Sequence, residues 1–339
     1  MELRKHQIPR PSPSRVAAVH ASAVQFHPSE PLAGCPEMAA APRTTIFVVR
    51  HGDRYDYEVG REEWTARCKA SAALAASDPP LSSLGHQQAR ELAAYLAKEG
   101  ITRILVSPYL RALQTAQPLA HATGVPLLVD FAVAESHQRP AGLPATDARL
   151  PYFPEIDESY EPMMTTVMTD DAEGAEPGVE PRLEHMRRML YLARTLLVHP
   201  SFAGQTVAIV THAASMALVS ALTGAPSLDA AGKLAACGAY KIVLGSDGVA
   251  TLVERGDDSS AYLTCQASTT AAWGFADSAE PLDSSETMWR EAMRLGPTDP
   301  SAFPLCGPRS RPLQAASKDD AYEPESLLAA APATSPRSS

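Results

Sequence analysis

An imidazole flanked by two guanidinium groups is a nucleophile set beside an anion site, and the chain offers one at Arg50, His51 and Arg54. Histidine is the side chain whose neutral form is available for attack near pH 7. Arginine meets phosphate or carboxylate oxygens bidentately and keeps its charge. Three further strings carry the same kind of residue. Ser107-Pro108-Tyr109-Leu110-Arg111 supplies a third guanidinium, Glu135 a carboxylate, and Thr211-His212-Ala213 a second imidazole.

Each string directly follows an apolar run. The run from Thr45 to Val49 stops at Arg50-His51-Gly52, Ile101 to Val106 is followed by Ser107, Pro126 to Asp130 by Glu135, and Val207 to Val210 ends at Thr211. Short apolar runs that end in a polar turn read as strands buried on both faces of a parallel sheet, and ligands bind beyond the carboxyl ends of such strands. Helical periods separate them, from Leu84 to Gly100 with Leu92, Tyr95 and Leu96 on one face, from Tyr109 to Gly124, and from Arg182 to about His199. In the last, Leu183, Met186, Leu190, Ala193 and Leu197 are spaced for a core stripe. Gly100, Gly124 and Gly224 fall where helices end. Ala239 to Leu244 and Val249 to Val253, joined through Gly245 to Gly248, read as a terminal antiparallel hairpin. The expected fold is α/β, a three-layer α/β/α sandwich on a mostly parallel sheet with that hairpin at the C-terminal end.

With these four motifs in order, residues 44 to 256 resemble the histidine phosphatase superfamily, in the branch related to cofactor-dependent phosphoglycerate mutase. Arg50-His51-Gly52-Asp53-Arg54-Tyr55-Asp56, with Gly60 and Trp64, is most similar to the phosphatase domain of the TULA proteins and insect ecdysteroid-phosphate phosphatases. The resemblance implies a phosphohistidine on His51, a clamp of Arg50, Arg54, Arg111 and His212 on the phosphoryl oxygens, and Glu135 as general acid and base. That scheme needs no metal and no cofactor, because the clamp neutralises the charge spread over the phosphoryl oxygens. The same cations should hold His51 neutral, and a ring nitrogen bonded to the Gly52 carbonyl would fix its tautomer. The sequence departs from the family at Glu135, where Val133-Ala134-Glu135-Ser136 replaces a Leu-Phe-Glu-Trp context. Asp130, or an acid of the following insertion, is the competing proton donor.

That insertion, residues 136 to 181, is rich in proline and acids and has no Lys or Arg between Arg149 and Arg182. Residues 165 to 180 read as an acidic surface loop. Pro151 to Pro154 and Tyr160 are candidates for a lid, which would disfavour polyanions and favour monophosphates on apolar or phenolic groups. The catalytic domain is expected over residues 44 to 295, ending in a helix from Ser285 that docks Met288, Trp289 and Ala292. Residues 1 to 43 and 296 to 339 read as disordered extensions, the first as a transit peptide or a by-product of start-site choice, since Met38 leads directly into the first strand.

A net charge of −10 offers no basic surface for nucleic acid. No apolar run approaches the roughly 18 residues of a membrane span. The five cysteines are scattered and odd in number, as in a reduced cytoplasmic protein. A phosphomonoesterase acting on a small-molecule or phosphoprotein ester is the leading reading, with a homodimer as a possible assembly. A mutase ranks below it because Asp53-Arg54 replaces the mutases' Glu-Ser, and a non-catalytic phosphate-binding domain is the third reading.

Overall fold

The computed structural model describes residues 43–71, 74–136, 146–167, 180–245, 247–257, 259–265 and 282–298. The proposed extensions therefore lie almost wholly outside the described residues, as does most of the acidic loop. The sheet is built from β1 (Thr44–Arg50), β2 (Arg103–Val106), β3 (Leu127–Val129), β4 (Thr206–Thr211), β5 (Ala239–Leu244) and β6 (Ala250–Glu254), in the order β3-β2-β4-β1-β5-β6. The first four are parallel, β5 runs antiparallel to β1, and β6 runs antiparallel to β5.

Successive strand residues face opposite sides, so one apolar run feeds two cores. Ile46, Val48, Leu105, Val207 and Ile209 pack with α5 (Arg182–Val198), α6 (Met216–Thr223) and α8 (Leu282–Leu295). Phe47, Val49, Ile104, Val106, Ala208 and Val210 pack with α3 (Ser83–Leu96) and α4 (Leu110–Thr123). This is the expected three-layer sandwich. Gly100, Gly124 and Gly224 all take the left-handed conformation just past a helix, which costs glycine nothing.

Helix α8 seats Trp289 and Ala292 in the core with Met288 half-buried, as its pattern indicates. In α5 the buried stripe is rotated from the expected one. Met186, Met189, Leu192, Ala193 and Leu196 are fully covered, whereas Leu183, Leu190 and Leu197 are only partly so. The cause is polar: His185 and Arg188 are themselves buried and turn that face of the helix inward. Two short helices, α1 (Tyr55–Val59) and α2 (Arg61–Ala70), follow β1 and were not expected, because α2 buries only Trp64 and shows no apolar stripe. The remaining short helix, α7 (Leu228–Ala231), precedes the hairpin.

The described part of the insertion is a strap along the open edge of β3. Ile156 bridges Leu127 at the start of that strand, and Phe153 is fully buried beside it. Pro151 to Pro154 thus lie at the opposite end of β3 from the catalytic strings. Further on, Tyr160 reaches Asp130 and Val167 packs with Tyr109 and Ala134, which returns the strap to the carboxyl ends of the strands. Covering the edge strand protects its unpaired backbone groups.

Candidate active site

Strands β1 and β4 are neighbours in register, with Arg50 opposite Thr211, so His51 and His212 leave the sheet side by side. Their ring centroids are 5.2 Å apart. The main chain at His51 is fixed by its own N–H to the Thr211 carbonyl at 2.9 Å, and by Cys237 N–H to the Arg50 carbonyl at 3.1 Å. Beyond it, Gly52 N–H donates to Thr115 Oγ1 and Asp53 N–H to Gln88 Oε1. Gly52 and Gly85 make this possible by backbone contact. A Cβ on Gly85 would stand 2.1 Å from the Asp53 carbonyl oxygen.

His51 is buried, and its Nδ1–H donates to the Gly52 carbonyl at 2.7 Å. A carbonyl can only accept, so the neutral ring carries its proton on Nδ1 and keeps its lone pair on Nε2. Burial pushes the pKa of His51 well below 6.5, and the charges of Arg111, Arg50 and Arg54 push it the same way against the Gly52 bond. The nucleophilic form is thus the resting form.

Arg111 sits in the first turn of α4, where Asp78 accepts from Leu110 N–H at 2.8 Å. Its Nη1 lies 3.9 Å from the same Asp78, its Nη2 3.7 Å from Glu135 Oε2, and its plane 4.4 Å from the Tyr109 ring centre. Nε of Arg111 is buried with no hydrogen-bond partner among the described residues. Arg54 is held bidentately by Asp56, at 2.9 and 2.5 Å, over the Tyr57 ring. Arg50 spends Nη1 on the Leu234 carbonyl at 3.1 Å.

His212 is fully buried, with Ser107 Oγ 2.7 Å from Nε2 and Glu135 Oε2 3.4 Å from Nδ1. A hydroxyl donating to Nε2 leaves Nδ1 as a donor facing the carboxylate. Burial first, then Arg111 and His51, lowers the His212 pKa well below 6.5. Glu135 Oε2 therefore stands where Arg111 and His212 both converge, at separations too long for strong hydrogen bonds and short enough for attraction. All six residues expected from the sequence meet here.

Of the competing acids, Asp130, Glu155 and Glu180 point elsewhere, and Asp170, Asp171, Glu173 and Glu176 lie outside the described residues. Asp130 is fully buried, capping Ala132 N–H at 2.8 Å and accepting from Tyr160 Oη–H, Met163 N–H and Met164 N–H. Its carboxyl thus ties down the strap, and burial raises its pKa to about 6 against those bonds. Glu180, in the insertion, is buried in a bidentate pair with Arg188, and Glu155 pairs with His121 at the β3 edge. Sequence reasoning missed Asp78, Ser107 and Arg188 as supports of the site. None of the three left a local signal in the sequence.

The family pattern described as histidine phosphatase superfamily (branch 1) matches residues 46–257. The chain belongs to that superfamily. A probable phosphoglycerate mutase GpmB of Serratia proteamaculans is 29% identical over 183 residues, covering 54% of this chain and 76% of that protein. Its counterpart in Escherichia fergusonii is 27% identical over 183 residues, with the same coverage. Among solved structures, the Bombix mori ecdysone phosphate phosphatase in complex with tungstate is 19% identical, with a TM-score of 0.47 over 68% of this chain and 98% of that one. A mycobacterial glucosyl-3-phosphoglycerate phosphatase is 23% identical, with a TM-score of 0.42 over 64% of this chain and all of the other. Phosphatases and mutases both occur among these superfamily relatives.

Proposed function

We propose that the chain is a phosphomonoesterase that works through a phosphohistidine on His51. The carrying observation is the Nδ1–H bond of a buried, neutral His51 to the Gly52 carbonyl, which leaves Nε2 as its one nucleophilic atom. In this scheme Glu135 binds a proton before attack, and the Nε2 lone pair then breaks the bond from phosphorus to the leaving oxygen, which takes that proton. Glu135, now a carboxylate, removes a proton from water, and the hydroxyl displaces Nε2 to release phosphate. Arg50, Arg54, Arg111 and His212 hold the phosphoryl oxygens throughout. The charge of the three arginines does the work of a divalent cation, with neutral His212 donating a hydrogen bond, so the scheme calls for no metal.

The substrate in this reading is a phosphomonoester of a small molecule or a phosphoprotein, and Pro151 to Pro154, lying away from the catalytic strings, do not select it. Cys68, Cys237 and Cys265 are free thiols, in keeping with a reducing cytoplasmic setting. Among the described residues no helix is long and apolar enough to cross a membrane. A mutase is the second reading, favoured by the names of the curated relatives. Hydrolysis of p-nitrophenyl phosphate in excess chelator tests the choice. The phosphatase reading expects turnover that persists in chelator and disappears in His51→Ala. Phosphoryl exchange between phosphoglycerates without net phosphate release would favour the mutase, and no turnover would favour a binding domain.

A further inference from the structure

Glu135 follows β3 on a short segment whose carbonyl groups are all engaged by buried side chains. The two N–H groups of Arg188 Nη1 are shared among the carbonyls of Phe131, Ala132 and Ala134 at 3.1, 3.0 and 3.0 Å, and its Nη2 donates to that of Glu135 at 3.3 Å. The remaining carbonyl, of Val133, accepts from Thr211 Oγ1 at 2.7 Å. The guanidinium is itself gripped at its other edge, Nε to Glu180 Oε1 and Nη2 to Glu180 Oε2, both 2.7 Å, with His185 Nδ1 2.8 Å from Nη2. Arg188 and Glu180 are each nearly inaccessible.

A buried pair of this kind is poor value as a stabiliser, because desolvation consumes most of the attraction. Its geometry is more telling. One fork joins the segment before the insertion to Glu180 near the insertion's far end, and anchors both on α5. The backbone that carries Glu135 is thereby tied to α5. Thr211 completes the frame: its carbonyl receives His51 N–H, its hydroxyl fixes Val133, and His212 is the next residue. General acid catalysis tolerates little displacement of the donor.

We propose that Arg188, braced by Glu180, is a positioning residue that sets the reach of the Glu135 carboxyl to the leaving group. This rests on the phosphatase reading above. It predicts a dependence on the leaving group that a merely structural residue would not produce. A leaving group as good as p-nitrophenolate departs without a proton, whereas an unactivated phenol or alcohol needs one.

The test uses the full chain and a series of aryl and alkyl phosphates of rising leaving-group pKa. Arg188→Met leaves Glu180 buried without its guanidinium partner, so it is tested beside Arg188→Met/Glu180→Met, which removes both charges and guards against simple unfolding. The expected result for both variants is kcat/KM, which reports phosphoryl transfer to His51 and not the later hydrolysis, close to wild type on p-nitrophenyl phosphate and reduced about 100-fold on phenyl and alkyl phosphates, approaching the profile of Glu135→Gln. Arg188→Lys, which keeps some donors, should recover part of the loss. A uniform fall across the series, or no change in a folded variant, would overturn the positioning role while leaving the phosphatase reading intact. Absence of turnover in the wild type would defeat that reading, and the role assigned to Arg188 with it.

Discussion

Replacing His51 by glutamine should make the protein less sensitive to acid, by an amount set by the burial of one imidazole. In the fold His51 is inaccessible and its pKa lies well below 6.5, while in the unfolded chain it returns to about 6.5. The unfolded state thus binds more protons below that value. Stability from this group is fully present above pH 6.5 and is lost as pH falls toward the folded pKa. Between pH 7 and 5.5, with the buried ring still neutral, the loss is about 1.3 kcal/mol from His51 alone. His212 and Asp130 titrate in both proteins, Asp130 with the opposite sign because its pKa is raised to about 6, and they drop out of the difference. Urea unfolding of wild type and His51→Gln at the two pH values measures that difference directly. The stability gap should move by about 1.3 kcal/mol in favour of the variant on acidification. Parallel curves would mean that His51 is protonated or solvated in the fold, and the argument for a resting nucleophile would fall with it.

Asp130→Asn should cost about 1–3 kcal/mol by weakening an acceptor that serves four donors. Because the folded carboxyl titrates near pH 6, that cost should grow by about 1.3 kcal/mol between pH 7 and 5 in urea unfolding, and shrinkage would contradict the assigned burial. Gly85→Ala drives a Cβ into the Asp53 carbonyl, so it should lose about 1–3 kcal/mol in thermal unfolding and depress turnover by moving the His51 loop. Unchanged activity would show that the loop is not held by this contact. Trp289→Ala should lose about 3–5 kcal/mol, since α8 completes one face of the core through this side chain. A loss well below 1 kcal/mol in urea unfolding would mean that α8 does not dock.

The parts of the fold legible in the sequence are those written locally. Ile46 to Val49 and Val207 to Val210 are short, apolar and followed by polar turns, so the strand ends and the histidines on them could be placed together. Glu135 could be picked out for the same reason, since only a few residues separate it from β3. Strand order was not legible, because it depends on which crossover packs where. Arg188 was hidden by distance. Its partners at Phe131 to Glu135 are more than fifty positions away, and an arginine in an amphipathic helix ordinarily reads as solvated. Its burial also explains the rotated stripe of α5, since a period computed from apolar residues cannot include a guanidinium that turns inward. Asp78 lay in a segment with no period at all, yet it caps α4 beside Arg111.

The most direct test of the central claim is to trap the phosphoenzyme. The protein would be mixed with a fast aryl phosphate, quenched in alkaline denaturant, digested and mapped by mass spectrometry, with an acid-treated portion as control. Phosphate on the peptide carrying His51, lost in acid and absent from His51→Ala, is the predicted result. A chain that turns over substrate with no phosphate on that peptide, or with phosphate on His212 instead, would contradict the account.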